Sequence, residues 1–119
     1  MSNTIIPSLD YIAGIVETSG SFYWSNTTRK AYPVFQVKLV GRETDLLKAI
    51  KSKLGLNEVV HEYLHDGRHY AVLTVRRRSS IERIILPFLD QRLIGSKQAV
   101  FDAWRDRFYQ QLLAKSPDT

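Results

Sequence analysis

The side chains able to do chemistry in this sequence gather in alternating stretches rich in aromatics. Tyr23, Ser25, Thr27 and Arg29 alternate with Phe22 and Trp24, and Gln36 and Lys38 alternate with Phe35, Val37 and Leu39. His61, Tyr63 and His65 precede an Asp66-Gly67 pair, and Arg68, Tyr70, Thr74 and Arg76 follow it. Together with Tyr32 they offer donors, acceptors and positive charge suited to base edges and phosphates. A strand ribbon can lie in the major groove, where arginine reads guanine, glutamine reads adenine, and lysine or arginine anchors phosphate. A sheet packed on helices through one face also keeps its other face wet and polar, and composition alone favours that simpler account. Tyr63 and Tyr70 tilt the balance toward recognition, although cross-strand tyrosines also stabilise sheets.

Other reactive groups do not converge. His61, His65 and His69 are spaced by four, yet in strands the first two share a face while His69 turns inward, and no carboxylate completes a zinc site. Arg76, Arg77 and Arg78 form a basic run that is ordinarily solvated, but at a strand end beside a polar sheet face it also suits phosphate.

These side chains need a sheet and its backing helices to hold them. Pro7 and Ser8 open a predicted helix, with Ser8 as its cap and Asp10 near its positive end, and Gly20 stops it. A strand is predicted over 21–29, then a polar turn near Asn26 to Lys30. A second strand follows, with Phe35, Val37 and Leu39 inward and Val34, Gln36 and Lys38 opposite. Thr44 to Leu54 is amphipathic, with Leu46, Leu47, Ile50 and Leu54 at helical spacing and Gly55 as its stop. Asp66-Gly67 predicts a two-residue hairpin turn that sets His65 against Arg68, Tyr63 against Tyr70 and His61 against Val72. That register puts Val60, Leu64, Ala71, Leu73 and Val75 on the buried face. Ser80 is read as the cap of a helix through Ile81, Ile84, Ile85 and Leu86 that Pro87 interrupts or bends. A last helix, about Ser96 to Leu113, places Ala99, Val100, Ala103, Trp104, Phe108 and Leu112 along one stripe.

The pattern predicts a single α+β domain over 1–119. At 119 residues and 44% hydrophobic content one modest core is the default. The net charge of +5 favours a polyanionic partner, because lysines and arginines displace counterions condensed on phosphate backbones. Absence of cysteine removes disulfides and thiolate zinc sites and fits a reducing compartment. No apolar run reaches membrane-spanning length, and MSNTIIPSLD lacks a secretory pattern, so a soluble intracellular chain without a membrane partner is expected.

The most specific stretch is YIAGIVETSGSF, from Tyr11 to Phe22. Its segment from Ile12 to Gly20 resembles the LAGLIDADG motif of homing endonucleases, keeping Ala13, Gly14 and Gly20, replacing Ile12, Ile15, Val16 and Glu17 conservatively, and differing at Thr18 and Ser19. The likeness continues through PVFQV at Pro33 to Val37 and KQA at Lys97 to Ala99, so nearly the whole chain can be laid over one subunit of the family. The resemblance implies an αββαββα subunit whose antiparallel saddle, backed by helices, sits in the DNA major groove. With one motif per chain it implies a homodimer on a nearly palindromic site, two LAGLIDADG helices meeting through Ala13, Gly14, Glu17 and Thr18.

The family's metal-binding acid falls at Ser19, whose neutral hydroxyl is a poor ligand for magnesium. The resemblance therefore implies a degenerate site: DNA binding without a cofactor, Mg2+ being needed only if cleavage is retained. Glu17 lies about 200 degrees of helical turn from Ser19 and is expected near the helix surface, solvated or paired with a cation. Carbonyls at Ser19 or Gly20 could leave a weakened metal site, and Ser19→Asp is expected to restore affinity. The family's water-ordering polar residue falls at Leu39, and its basic auxiliary falls near Gly95 or Ser96, leaving Arg92 and Lys97 as substitutes, although Lys97 is equally an ordinary helix cation. The favoured expectation is a cleavage-deficient binder of double-stranded DNA. The alternatives are an active metal-dependent endonuclease of a mobile intron, an RNA-binding intron maturase, and a basic structural domain.

Overall fold

Helix α1 (Leu9–Ser19) begins where the Ser8 hydroxyl accepts the Tyr11 N–H at 3.1 Å. Residues 5–26 and 30–114 are described by the computed structural model, so the expected face residues Thr27 and Arg29 lie outside the described residues. The helix turns Ile12, Ala13 and Val16 into the core and runs without a loop into β1 (Gly20–Ser25). Only glycine allows that junction: a Cβ at Gly20 would stand 2.7 Å from the Val16 side chain and 2.8 Å from its carbonyl oxygen.

Strand β2 (Tyr32–Val40) pairs antiparallel with β1, Phe22 opposite Phe35 and Gly20 opposite Val37. A short 3-10 turn, Gly41–Glu43, leads into α2 (Thr44–Leu54), whose Leu47 and Ile50 are buried and whose C-terminal Gly55 takes a left-handed φ of 77°. Strands β3 (Val60–His65) and β4 (Arg68–Val75) follow, joined by Asp66 and Gly67 at φ 52° and 75°. Two consecutive positive φ values are what a two-residue hairpin turn of type I′ requires. The register is the expected one, with His65 on Arg68, Tyr63 on Tyr70 and His61 on Val72. Because β2 also pairs with β4, the four-stranded antiparallel sheet has the order β1-β2-β4-β3.

The chain then forms α3 (Arg78–Ser80), a π-helical segment Ile81–Ile85, α4 (Leu86–Leu89) and α5 (Ser96–Ala114). All pack with α1 and α2 on one side of the sheet, giving the expected α+β arrangement. Phe22 is the aromatic hub, with ring centroids 5.4 Å from Phe35, 5.3 Å from Phe101 and 5.1 Å from Trp104. Within the described residues no helix is long and apolar enough to cross a membrane.

Four expectations need correction. Leu64 is 77% exposed rather than buried, since β3 is the sheet edge and every residue from His61 to His65 along it is exposed. Ser80 is not a helix cap: the helix begins at Arg78 after Arg77, and Pro87 neither ends nor starts it. The wider π turn, in which Leu86 N–H reaches Ile81 O, comes just ahead of the proline, whose missing N–H is tolerated in the next first turn. The buried stripe of α5 runs through Phe101, Trp104 and Phe108, whereas Ala99, Val100 and Ala103 face solvent. Finally, Val34 and Val72 face away from the main core by strand alternation, yet are 0% and 6% exposed, so the opposite sheet face has an apolar floor.

These placements separate two leucines of one hairpin. Leu73→Ala should cost about 2–5 kcal/mol through lost burial and a cavity, whereas Leu64→Lys should stay within about 0.5 kcal/mol. Urea unfolding of both variants measures the contrast.

Candidate functional site

The sheet face opposite the helices carries the chemistry-bearing residues that alternation assigned to it. Ser21, Tyr23 and Ser25 come from β1, Tyr32, Gln36 and Lys38 from β2, Arg68, Tyr70 and Thr74 from β4, and His61, Tyr63 and His65 from β3, each set at even spacing, with Val34 and Val72 filling the gaps in β2 and β4. Arg76 follows β4, exposed at its end. Most of these residues line one open trough of about 540 Å³, running over Gln36, Lys38, His61, Tyr63, His65, Tyr70, Thr74 and Arg76. Tyr23, Ser25 and Tyr32 belong to the same face on its β1 side and do not line the trough.

Contacts within the face hold its side chains in preset positions. The Gln36 amide donates to Thr74 Oγ1 at 3.0 Å across the β2–β4 pairing. Lys38 Nζ sits 4.1 Å from the Tyr70 ring centroid, a cation–π contact. The His61 and Tyr63 rings are 6.2 Å apart. Two residues of the trough wall, Glu58 and Val59, escape a periodicity reading because they precede the strand. Both Glu58 carboxylate oxygens are buried without a hydrogen-bond partner. Arg78 is drawn away from this face, donating to Gln111 and lying 5.8 Å from the Phe108 ring. His69 sits on the helix side, bonded to Glu62 at 2.8 Å, and no group of three or more His, Cys, Asp or Glu gathers among the described residues.

At one border of the sheet, α1 presents Tyr11, Gly14 and Thr18 outward. A Cβ added at Gly14 would meet nothing within 4 Å, so no neighbour among the described residues accounts for the glycine. Ala13 must be removed from the expected dimer stripe, because it is 3% exposed and packed in the core. Glu17 lies near the helix surface as expected and is partly exposed, but among the described residues it pairs with no cation. Its carboxylate accepts the N–H groups of Ile94 at 2.8 Å and Gly95 at 3.0 Å, clamping the segment ahead of α5 onto α1.

The end of α1 brings Ser19 and Lys97 together with Gly20. Thr18 Oγ1 donates to Ile15 O at 3.2 Å and lies 3.5 Å from Ser19 Oγ. From the first turn of α5, Lys97 Nζ donates to Gly20 O at 2.6 Å. Arg92 is elsewhere, donating to Asp10 at 3.2 Å and to Phe88 O at 2.9 Å. Leu39 is partly buried against the core. These donors do not fit a divalent metal ion: the side chain is a neutral hydroxyl, and the carbonyl expected to help hold a residual ion already carries an ammonium group.

The family model described as LAGLIDADG endonuclease matches residues 12–108. Among solved structures, the homing endonuclease I-TnaI superimposes with a TM-score of 0.79 at 23% identity, covering 92% of this chain and 77% of that one. I-GzeII in complex with its DNA target gives 0.82 at 24% identity, covering 99% of this chain and 40% of that one. I-SmaMI bound to cleaved DNA gives 0.79 at 26%, with 99% and 42% covered. The chain thus spans less than half the length of these two DNA-bound endonucleases. No curated protein matches.

The Glu17 clamp predicts its own signature. Glu17→Gln keeps the shape but removes one acceptor and the charge, and should cost about 1 kcal/mol. Faster hydrogen exchange at the Ile94 and Gly95 amides, with the sheet amides unchanged, would report it.

Proposed function

This chain belongs to the LAGLIDADG endonuclease family, its match running over residues 12–108, and from that premise we propose a homodimeric, sequence-specific binder of double-stranded DNA that has lost most or all cleavage activity. The observation that carries the reading is the contrast between sheet face and helix end. One trough collects a glutamine, a lysine, histidines, tyrosines and an arginine, while the end of α1 offers Ser19 and a Gly20 carbonyl bonded to Lys97.

The sheet face has the right chemistry for the major groove. Gln36 matches the adenine edge, Arg68 and Arg76 match guanine or phosphate, and Lys38 anchors phosphate. Hydrolysis of a phosphodiester by the two-metal route needs ions that stabilise both the attacking and the leaving oxygen. Without a carboxylate at Ser19 this chain has no strong ligand for such an ion, so recognition persists without cutting. I-SmaMI, 26% identical, is bound to DNA, which supports duplex DNA as the partner here.

Two copies are favoured by Gly14. Glycine inside a helix costs roughly 0.5–1 kcal/mol relative to alanine, and no contact among the described residues offsets it. A second α1 crossing closely at Gly14 and Thr18 supplies that reason, and an isologous contact demands a nearly palindromic target.

The protein should retain its bound duplex in magnesium or manganese with no strand scission on denaturing gels; metal-dependent cutting would overturn the reading. Structured RNA should compete poorly against that duplex, and preferential RNA binding would favour a maturase instead. Gly14→Leu should shift the protein from dimer to monomer in analytical ultracentrifugation, whereas Gly14→Ala, unfolded with urea at concentrations low enough to keep the protein monomeric, should raise stability by about 0.5–1 kcal/mol.

A further inference from the structure

We propose that Glu58 reads cytosine, its carboxylate accepting the exocyclic N4 amino group on the major-groove edge of one C·G pair in each half-site. The inference rests on the DNA-binding reading above and gives a role to the acid in the trough wall.

A carboxylate is out of place on a surface built to meet phosphates. Among the described residues lining the trough Glu58 is the one acid, in the company of Lys38, Arg76 and two histidines. Both of its oxygens are hidden from solvent without a hydrogen-bond partner, and no cation among the described residues forms an ion pair with it. Lys38 turns to the Tyr70 ring instead, 4.1 Å from its centroid. An ionised carboxylate kept from water is costly until a donor meets it. Held at that cost in the wall of a binding trough, it marks a place where the ligand supplies the donor.

The local fold fixes where that donor arrives. At the end of α2, Gly55 in its left-handed conformation and the Leu56 N–H, bonded to Lys51 O at 3.0 Å, turn the chain out of the helix, and the buried Leu56 side chain anchors it. Glu58 and Val59 then stand in the trough wall immediately ahead of β3. As a residue Glu58 is only partly buried, so rotation about its side-chain bonds turns the carboxylate into the trough while the backbone stays in place.

Duplex DNA offers few donors to such a group. Phosphates repel it, as do guanine O6 and N7, and thymine presents O4 and a methyl group. The adenine N6 amino group stands beside N7, an acceptor that also repels a carboxylate. Cytosine N4 has no acceptor next to it on its own base, and the neighbouring C5–H edge is apolar. Val59, 62% exposed beside Glu58, matches that edge.

Selection of duplexes by the wild type should fix cytosine at one position of each half-site. Glu58→Gln keeps the shape but gains an amide donor, so it should move that position to adenine and leave the others unchanged, whereas Glu58→Ala should accept any base there. In fluorescence anisotropy titrations, replacing the selected cytosine by N4-methylcytosine, which still pairs with guanine but has no free N4–H, should weaken the wild type about tenfold and leave Glu58→Ala unaffected. No loss of wild-type affinity on methylation would overturn the proposal whether or not the variants fold, and an equal loss in Glu58→Ala would do the same. A consensus unchanged at every position in folded Glu58→Gln would also overturn it, even if affinity rose for all sequences alike, since Glu58 would then only repel phosphate. In each of these cases the DNA-binding reading stands; failure of the wild type to enrich any consensus would remove that reading itself.

Discussion

The direct passage from α1 into β1 at Gly20 constrains everything around it. No loop separates helix from strand, so the helix lies against the sheet at a distance set by Val16, which would stand 2.7 Å from any added Cβ. The Gly20 N–H still closes the helix onto Val16 O while its own carbonyl accepts Lys97. Three residues earlier, Glu17 holds Ile94 and Gly95. Two polar clamps thus tie the start of α5 to the end of α1, across 77 and 78 residues of sequence.

From that junction the molecule divides into sides with different tasks. On the helix side, Phe22, Phe35, Phe101 and Trp104 form the aromatic centre, and the Trp104 indole N–H is satisfied by Tyr23 O at 3.1 Å. The other face has Val34 and Val72 as a dry floor beneath polar and charged walls. Apolar floor residues keep the sheet stiff, so side chains such as Gln36, held to Thr74, keep one orientation with little conformational freedom to lose on binding. In the proposed function recognition belongs to the sheet face and cleavage to the helix end, where the Ser19 side chain is a neutral hydroxyl.

Most of the fold was legible in the sequence because its signals are local. Ser8 and Gly55 marked helix ends through capping, and Asp66-Gly67 set a hairpin register that assigned seven face residues across β3 and β4 or just beyond. Errors arose where longer-range packing decides. Leu64 obeys strand alternation but sits on an edge that no helix covers. On α5 the residues Phe101, Trp104 and Phe108 won the core over smaller neighbours, because the large side chains fill the space above Phe22. The π turn before Pro87 has no simple residue pattern. At the site, strand period placed the polar face, but the Glu17 and Lys97 contacts span 77 and 78 residues of sequence and no period foretells them.

Selection of bound sequences from a random duplex library, without added metal, tests the central claim most directly because it reads binding, specificity and symmetry together. A folded homodimer using its sheet face for recognition should enrich a nearly palindromic consensus, with uncut duplexes recovered when magnesium is then supplied. Recovery of no consensus at physiological salt would contradict it.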